Sequence, residues 1–157
     1  MTKFSGAIQQ VDLTQINETD FERRYVGCIV LIKDNKILLQ QRGANWDHFP
    51  GYLSEFGGQI EADESPIQAL VRELREELGA VVGEHEVVSF GAITEKATKY
   101  TELVHIYFWH DKKSTITGCY EGELKYFDSV QAVFDHSNVM ESARWLLHLC
   151  LENQLLK

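Results

Sequence analysis

GGQIEADESPIQALVRELREELGA, residues 57–80, decides how this chain is read. Two glycines open it, an acidic loop follows, and then a helix begins with clear punctuation. Ser65 suits the N-cap, Pro66 the first helical position, and Gln68 completes a capping box with Ser65. Gly79 supplies the stop. At about 100° per residue, Ile67, Leu70, Val71, Leu74 and Leu78 gather on one apolar face. Glu73, Glu76 and Glu77 fall in a neighbouring arc, with Arg72 at its edge and Arg75 away from it.

A helix built only for stability would alternate charges, because like charges at i,i+4 cost roughly 0.2–0.5 kcal/mol per pair. Here Glu73 faces Glu77 at that spacing and Glu76 at i,i+3, and Arg72 with Glu76 is the compensating pair. The acids also lie in the C-terminal half, where the helix dipole disfavours negative charge. Taken alone, such a patch reads as a solvated face. GGQIEADE in front of it changes that reading. Glycines let the backbone approach a bound ion closely. Hard cations such as Mg²⁺ take carboxylate, carbonyl and phosphate oxygens.

Gly58, Glu64, Arg72, Glu73, Leu74, Glu76, Glu77 and Gly79 match the Nudix box, GX5EX7REUXEEXGU, at every fixed position. Ala80 stands where the family prefers a larger aliphatic residue. The box spans about a seventh of the chain, which is identified by it as resembling the MutT-like Nudix hydrolases. The resemblance implies an α+β fold, an α/β/α sandwich around a mixed sheet. It also implies hydrolysis of a nucleoside diphosphate linked to a further moiety, with Mg²⁺ as cofactor and Mn²⁺ able to substitute. By carry-over, Glu76 and Glu77 are metal ligands, Glu73 is a ligand or the water-activating base, and a carbonyl of Gly57 or Gly58 adds a ligand. Arg72 orients the carboxylates and Glu64 braces the loop. Many family members recruit one further acid from a later segment; Glu121 and Glu123, in CYEGELKYF, are the candidates, with ordinary surface acids as the alternative.

Outward from the box, YVGCIVLI and KILLQQR, joined by Asp34-Asn35, read as a β-hairpin. GANWDHFPGYLSEFGG reads as loop, punctuated by Pro50-Gly51 and Gly57-Gly58. EVVSFGAITEK, TELVHIYFWHDK and GELKYF read as strands, DSVQAVF as a turn of helix, and residues 138–153 as a final helix. Residues 1–22 read as a partly ordered leader and residues 23–157 as one domain. A mixed sheet packed by helices results.

The formal charge of −9 argues against binding a nucleic-acid polymer, while small polyphosphates fit if a cation bridges the like charges. No apolar run is long enough to span a bilayer. Three scattered cysteines fit reduced, buried thiols in a cytoplasmic protein, monomeric or homodimeric. None of the six histidines has zinc-ligand spacing. Arg42 is a candidate phosphate contact or a plain surface residue. Tyr52, with Trp46 and Phe49, either stacks on a base or packs a lid, and Phe56 is a further substrate-side candidate because Phe56-Gly57-Gly58 replaces the Pro-Gly-Gly of many MutT-like members.

No proline follows Gly79, so the proline associated with ADP-ribose hydrolases is missing, as is the NADH-hydrolase signature SQPWPFPxS. Tyr100 lies farther from the box than the tyrosine of diadenosine-polyphosphate hydrolases. By elimination the expected substrate is a (deoxy)nucleoside triphosphate. The alternatives are a nucleotide sugar or dinucleotide (ADP-ribose, dinucleoside polyphosphate), or a non-catalytic nucleotide-sensing domain.

Overall fold

YVGCIVLI becomes the centre of the sheet because helices cover both of its faces. The computed structural model describes residues 7–157; the first six residues of the expected leader lie outside the described residues. In chain order the strands are β1 (Ile8–Val11), β2 (Arg23–Ile32), β3 (Ile37–Gln41), β4 (Leu53–Ser54), β5 (Phe56–Gln59), β6 (Val87–Glu95), β7 (Glu102–Asp111) and β8 (Glu123–Phe127). The helices are α1 (Pro66–Leu78), α2 (Val130–Phe134) and α3 (Glu141–Glu152). The sheet runs β1-β6-β7-β2-β3-β4, with β5 also on β2 and β8 also on β3. β2 and β7 are parallel, whereas β2 meets β3 and β5 antiparallel. The sheet is mixed.

Alternation along β2 sorts its side chains between two cores. Val26, Cys28 and Val30 pack with Leu70, Leu74 and Leu78 of α1. Ile29 and Leu31 pack with Leu146, Leu147 and Cys150 of α3 and with Val130 and Val133 of α2. The layers are therefore helix, sheet, helix, the expected sandwich. Ser65 caps α1 with its capping box formed, and Gly79 ends it in the left-handed conformation at φ 66°. An N-cap is worth about 1 kcal/mol and each fully buried leucine roughly 1.5–3 kcal/mol, so burial anchors α1 more than its punctuation does.

Three segments differ from the sequence reading. Ile8–Val11, inside the expected leader, forms an edge strand antiparallel to β6. Glu18 ties this region down further, its Oε1 lying 3.0 Å from His105 Nε2 and accepting from Arg24 at 3.2 Å. The final helix starts at Glu141 rather than 138. Val139 instead bridges Leu53, and Met140 N–H donates to the Leu53 carbonyl at 2.9 Å, which holds the chain extended there. Cys119 is half-buried, unlike the buried Cys28 and Cys150.

The third difference positions the site. Residues 56–59 form β5, paired with β2 as Val26↔Gly58 and Gly27↔Gly57. The glycines look like turn punctuation, but here they permit close approach within a ladder. Gly57 has φ 152°, and a Cβ on it would stand 1.9 Å from the Val26 carbonyl oxygen. Gly57→Ala is accordingly expected to lower the unfolding free energy by about 1–3 kcal/mol. Urea denaturation followed by circular dichroism measures this; an unchanged midpoint would contradict the register.

Candidate active site

The last two turns of α1 lie against β5, with which the helix makes its most extensive contact. Glu77 is 2% exposed, although its helical arc predicted a polar face. Gly57 N–H donates to its Oε1 at 2.9 Å, and Gln40 Nε2 to its Oε2 at 3.2 Å. Burial first, then the charges of Glu121 and Glu73, push the Glu77 pKa up to about 8 against the opposing effect of those two hydrogen bonds. Glu73 lies over Gly58 so closely that a Cβ there would stand 2.4 Å from its carboxyl carbon. Its pKa is also raised, first by burial, against the opposing effect of Arg72 and with further raising by Glu76 and Glu121. The glycine pair thus receives two carboxylates, one on a backbone N–H and one in the space a side chain would fill.

Arg72 is the local counter-charge. Its Nε and Nη2 grip both oxygens of Glu64, at 2.6 and 3.0 Å, in the fork geometry that suits a carboxylate. Nη1 donates to Glu73 at 2.8 Å and to Glu76 at 3.4 Å, and Nη2 also reaches the Gln59 carbonyl at 3.0 Å. Glu64 in turn accepts from Glu61 N–H at 2.8 Å, closing the loop ahead of the helix. Glu76 is mostly exposed, with 59% of its side chain open to solvent.

Both later acids are exposed, and proximity to the box tells them apart. Glu121 lies near enough to raise both Glu73 and Glu77. Glu123 has a 75% exposed side chain beside Lys125 at 3.9 Å and bears on neither of them. Among the described residues, no three acids or histidines form a ready-made metal cage. The donor set still fits a hard divalent cation: it is all oxygen, Glu121 and Glu73 both raise the energy of the Glu77 carboxylate, and Arg72 pairs with Glu73 but not with Glu77.

Beside the glycines opens a cavity of about 500 Å³. Gly58 and Glu121 border one part of it, and Arg42, Phe49, Glu55 and Glu95 border others. Arg42 donates through Nε to the His48 carbonyl at 2.9 Å and lies over the Trp46 ring at 4.8 Å. Tyr52 does not line the cavity; it packs edge-on against Phe49 at 5.3 Å, and Phe49 is the aromatic that faces the opening. Phe56, the further substrate-side candidate, lies along the cavity but does not offer its side chain to it. Its side chain is 0% exposed and belongs to the α1 core, because the strand alternation that sends the neighbouring Glu55 to the cavity turns Phe56 inward.

Sequence reasoning missed Gln40, Glu55 and Glu95. Glu55 accepts from Ser142 Oγ at 3.2 Å, and burial raises its pKa. Burial pushes Glu95 to about 7, followed by the charges of Glu55, Glu102 and Glu141. No local pattern marks these residues, since distant strands bring them together.

This arrangement defines a mixed-sheet sandwich with an acidic helix end set on a glycine pair, and similar folds are known. The E. coli ORF135 protein matches at TM-score 0.64 and 29% identity, over 88% of this chain and 95% of that one. A MutT protein from Methanosarcina mazei Go1 matches at TM-score 0.64 and 19% identity, over 84% of this chain and 94% of that one. The NUDIX domain profile matches residues 22–149, and the chain belongs to the Nudix family. In sequence it is 42% identical over 87 residues to a CTP pyrophosphohydrolase from E. coli K12, spanning 54% of this chain and 59% of that one. It is 32% identical over 88 residues to an 8-oxo-dGTP diphosphatase from Proteus vulgaris, 47% of this chain and 78% of that protein. Among the described residues, no helix is long and apolar enough to cross a membrane.

The Glu64–Arg72 grip has a pH signature. It holds the Glu64 pKa down at about 2, against an ordinary 4.5. A depressed carboxyl contributes stability above its unfolded pKa and loses it as pH falls through the folded value. The stability difference between the wild type and Glu64→Gln is therefore expected to shrink as pH drops from 4.5 towards about 2. Urea unfolding at a series of pH values reads this out; a pH-independent difference would contradict the grip.

Proposed function

We propose that the chain hydrolyses a pyrophosphate linkage in a nucleoside diphosphate-X compound, with a (deoxy)nucleoside triphosphate as substrate and a nucleoside monophosphate and pyrophosphate as products. One observation carries the reading: the complete box sits on a glycine pair at the edge of a cavity large enough for a nucleoside. The names of the relatives, a CTP pyrophosphohydrolase and an 8-oxo-dGTP diphosphatase, support a triphosphate. The match to the first of these spans less than two thirds of its length, so its activity enters here as support for the proposal.

Glu76, Glu77 and Glu121 would hold the divalent cation, Mg²⁺ or Mn²⁺, with a carbonyl of Gly57 or Gly58. When bound, the cation neutralises the polyphosphate and lowers the pKa of its water. Glu73 either adds a ligand or takes the proton from the attacking water. Arg72 keeps Glu73 and Glu76 pointing the same way through its bonds at 2.8 and 3.4 Å. Arg42 offers positive charge to the phosphate chain. Glu95 and Glu102 line the cavity further along the sheet and repel phosphate, so the base end of the nucleotide takes that part of the cavity.

Glu77→Gln keeps an acceptor for the Gly57 N–H but sets an amide N–H against the Gln40 Nε2 donor, so urea unfolding of the variant accompanies its assay. Its kcat, and that of Glu76→Gln, are expected to fall roughly 10²–10⁴-fold. The test is a hydrolysis screen with Mg²⁺ and Mn²⁺ over nucleoside triphosphates (including oxidised ones), ADP-ribose, dinucleoside polyphosphates and nucleotide sugars. Triphosphate turnover that both substitutions abolish supports the proposal. Full activity in both variants, or no turnover of any substrate, contradicts it.

A further inference from the structure

Gln40 lies outside the box, on β3, opposite Ser54 of β4 and Leu124 of β8. It is 4% exposed, and a buried amide at this depth must find partners. An amide has two N–H donors, and Nε2 uses them in different directions. One goes to Glu77 Oε2 on α1 at 3.2 Å, the other to the Glu121 carbonyl in the segment before β8 at 2.9 Å. Its Oε1 faces Ser54 Oγ at 3.4 Å. The same segment is pressed against β3 from above. Gly122 has φ 69°, and a Cβ on it would stand 2.7 Å from the Gln41 carbonyl oxygen and 3.1 Å from Gln40 Cγ.

Two acids from distant parts of the sequence thus share one neutral strut. We infer that Gln40 is a positioning residue for the reaction proposed above: its buried amide sets the Glu77 carboxylate and the Glu121 segment in fixed relation, so that both acids meet the divalent cation together. The inference rests on that reading of the site. The side-chain chemistry is specific. A lysine or arginine here would neutralise Glu77 and compete with the cation, while an aliphatic residue would leave Glu77 Oε2 free to turn. An amide holds the carboxylate and leaves its charge available. The segment does not depend on Gln40 for docking, because Tyr120 N–H also donates to the Glu77 carbonyl at 2.9 Å. Removing the amide therefore loosens the aim of the acids more than it loosens the fold.

Isothermal titration of the full chain with Mn²⁺, alongside thermal unfolding, tests this for the wild type, Gln40→Leu and Gln40→Met. Loss of a hydrogen bond that orients a metal ligand typically weakens binding roughly 10- to 100-fold, and that fall is expected in both variants. Gln40→Met keeps the unbranched side-chain length and removes both donors without adding charge, so it carries the test if Gln40→Leu does not fold. Wild-type Mn²⁺ affinity in either folded variant, with or without a lower Tm, would overturn the inference and reduce Gln40 to packing. A wild type that binds no Mn²⁺ would overturn the cation reading itself, which is a separate result.

Discussion

The buried carboxylate of Glu77 is the constraint around which this site is arranged. Moving an ionised carboxyl out of water costs several kcal/mol unless charge or hydrogen bonds compensate. Glu77 receives neutral donors, the Gly57 N–H and the Gln40 amide. Among the described residues, no lysine or arginine forms an ion pair with it. Its neighbours Glu73 and Glu121 make the burden heavier. Arg72 is occupied with Glu64, Glu73 and Glu76, so the negative charge at Glu77 and Glu121 stays available for a divalent cation. Much of the local architecture serves that placement. Gly57 must be glycine for β5 to reach β2, β5 must be in place to present its N–H, and α1 must be buried by its leucines to bring Glu77 there.

Charge also divides the cavity. Near the glycine pair, the carboxylates of Glu73, Glu77 and Glu121 gather. Further along the sheet, beyond Tyr25 of β2, Glu95 and Glu102 face the cavity, and burial raises the pKa of Glu95. A polyphosphate avoids that wall, whereas a group rich in hydrogen-bond donors does not. The asymmetry fits a substrate anionic at one end and polar but uncharged at the other, as a nucleotide is.

How much of this could be read in advance follows from the range of each signal. Helix α1, its cap, its stop and its apolar face are set by residues three or four apart, and the sequence states them openly. The box acids follow with it. β5 was hidden because its glycines mimic a turn, and their role depends on β2 far upstream. β1 was hidden because IQQV has no alternation and gains its pairing from β6. Gln40, Glu55 and Glu95 look like surface residues until strand register brings them to the site. Glu77 looked exposed because helical phase alone does not reveal that a strand covers one side of the polar arc. Glu121 and Glu123 are two residues apart and equivalent on paper; the turn at Gly122 sends them into different surroundings.

The central claim is that Glu73, Glu76, Glu77 and Glu121 converge on a divalent cation beside the cavity. Anomalous diffraction at the manganese edge tests it most directly, using crystals grown with Mn²⁺ and a non-hydrolysable nucleoside triphosphate analogue. The account predicts a manganese peak bounded by Glu77 and Glu121 at the Gly57–Gly58 strand, with the analogue's phosphates on it and its base towards Glu95 and Glu102. A bound analogue with manganese elsewhere, or with its phosphates against Glu95 and Glu102, would contradict it.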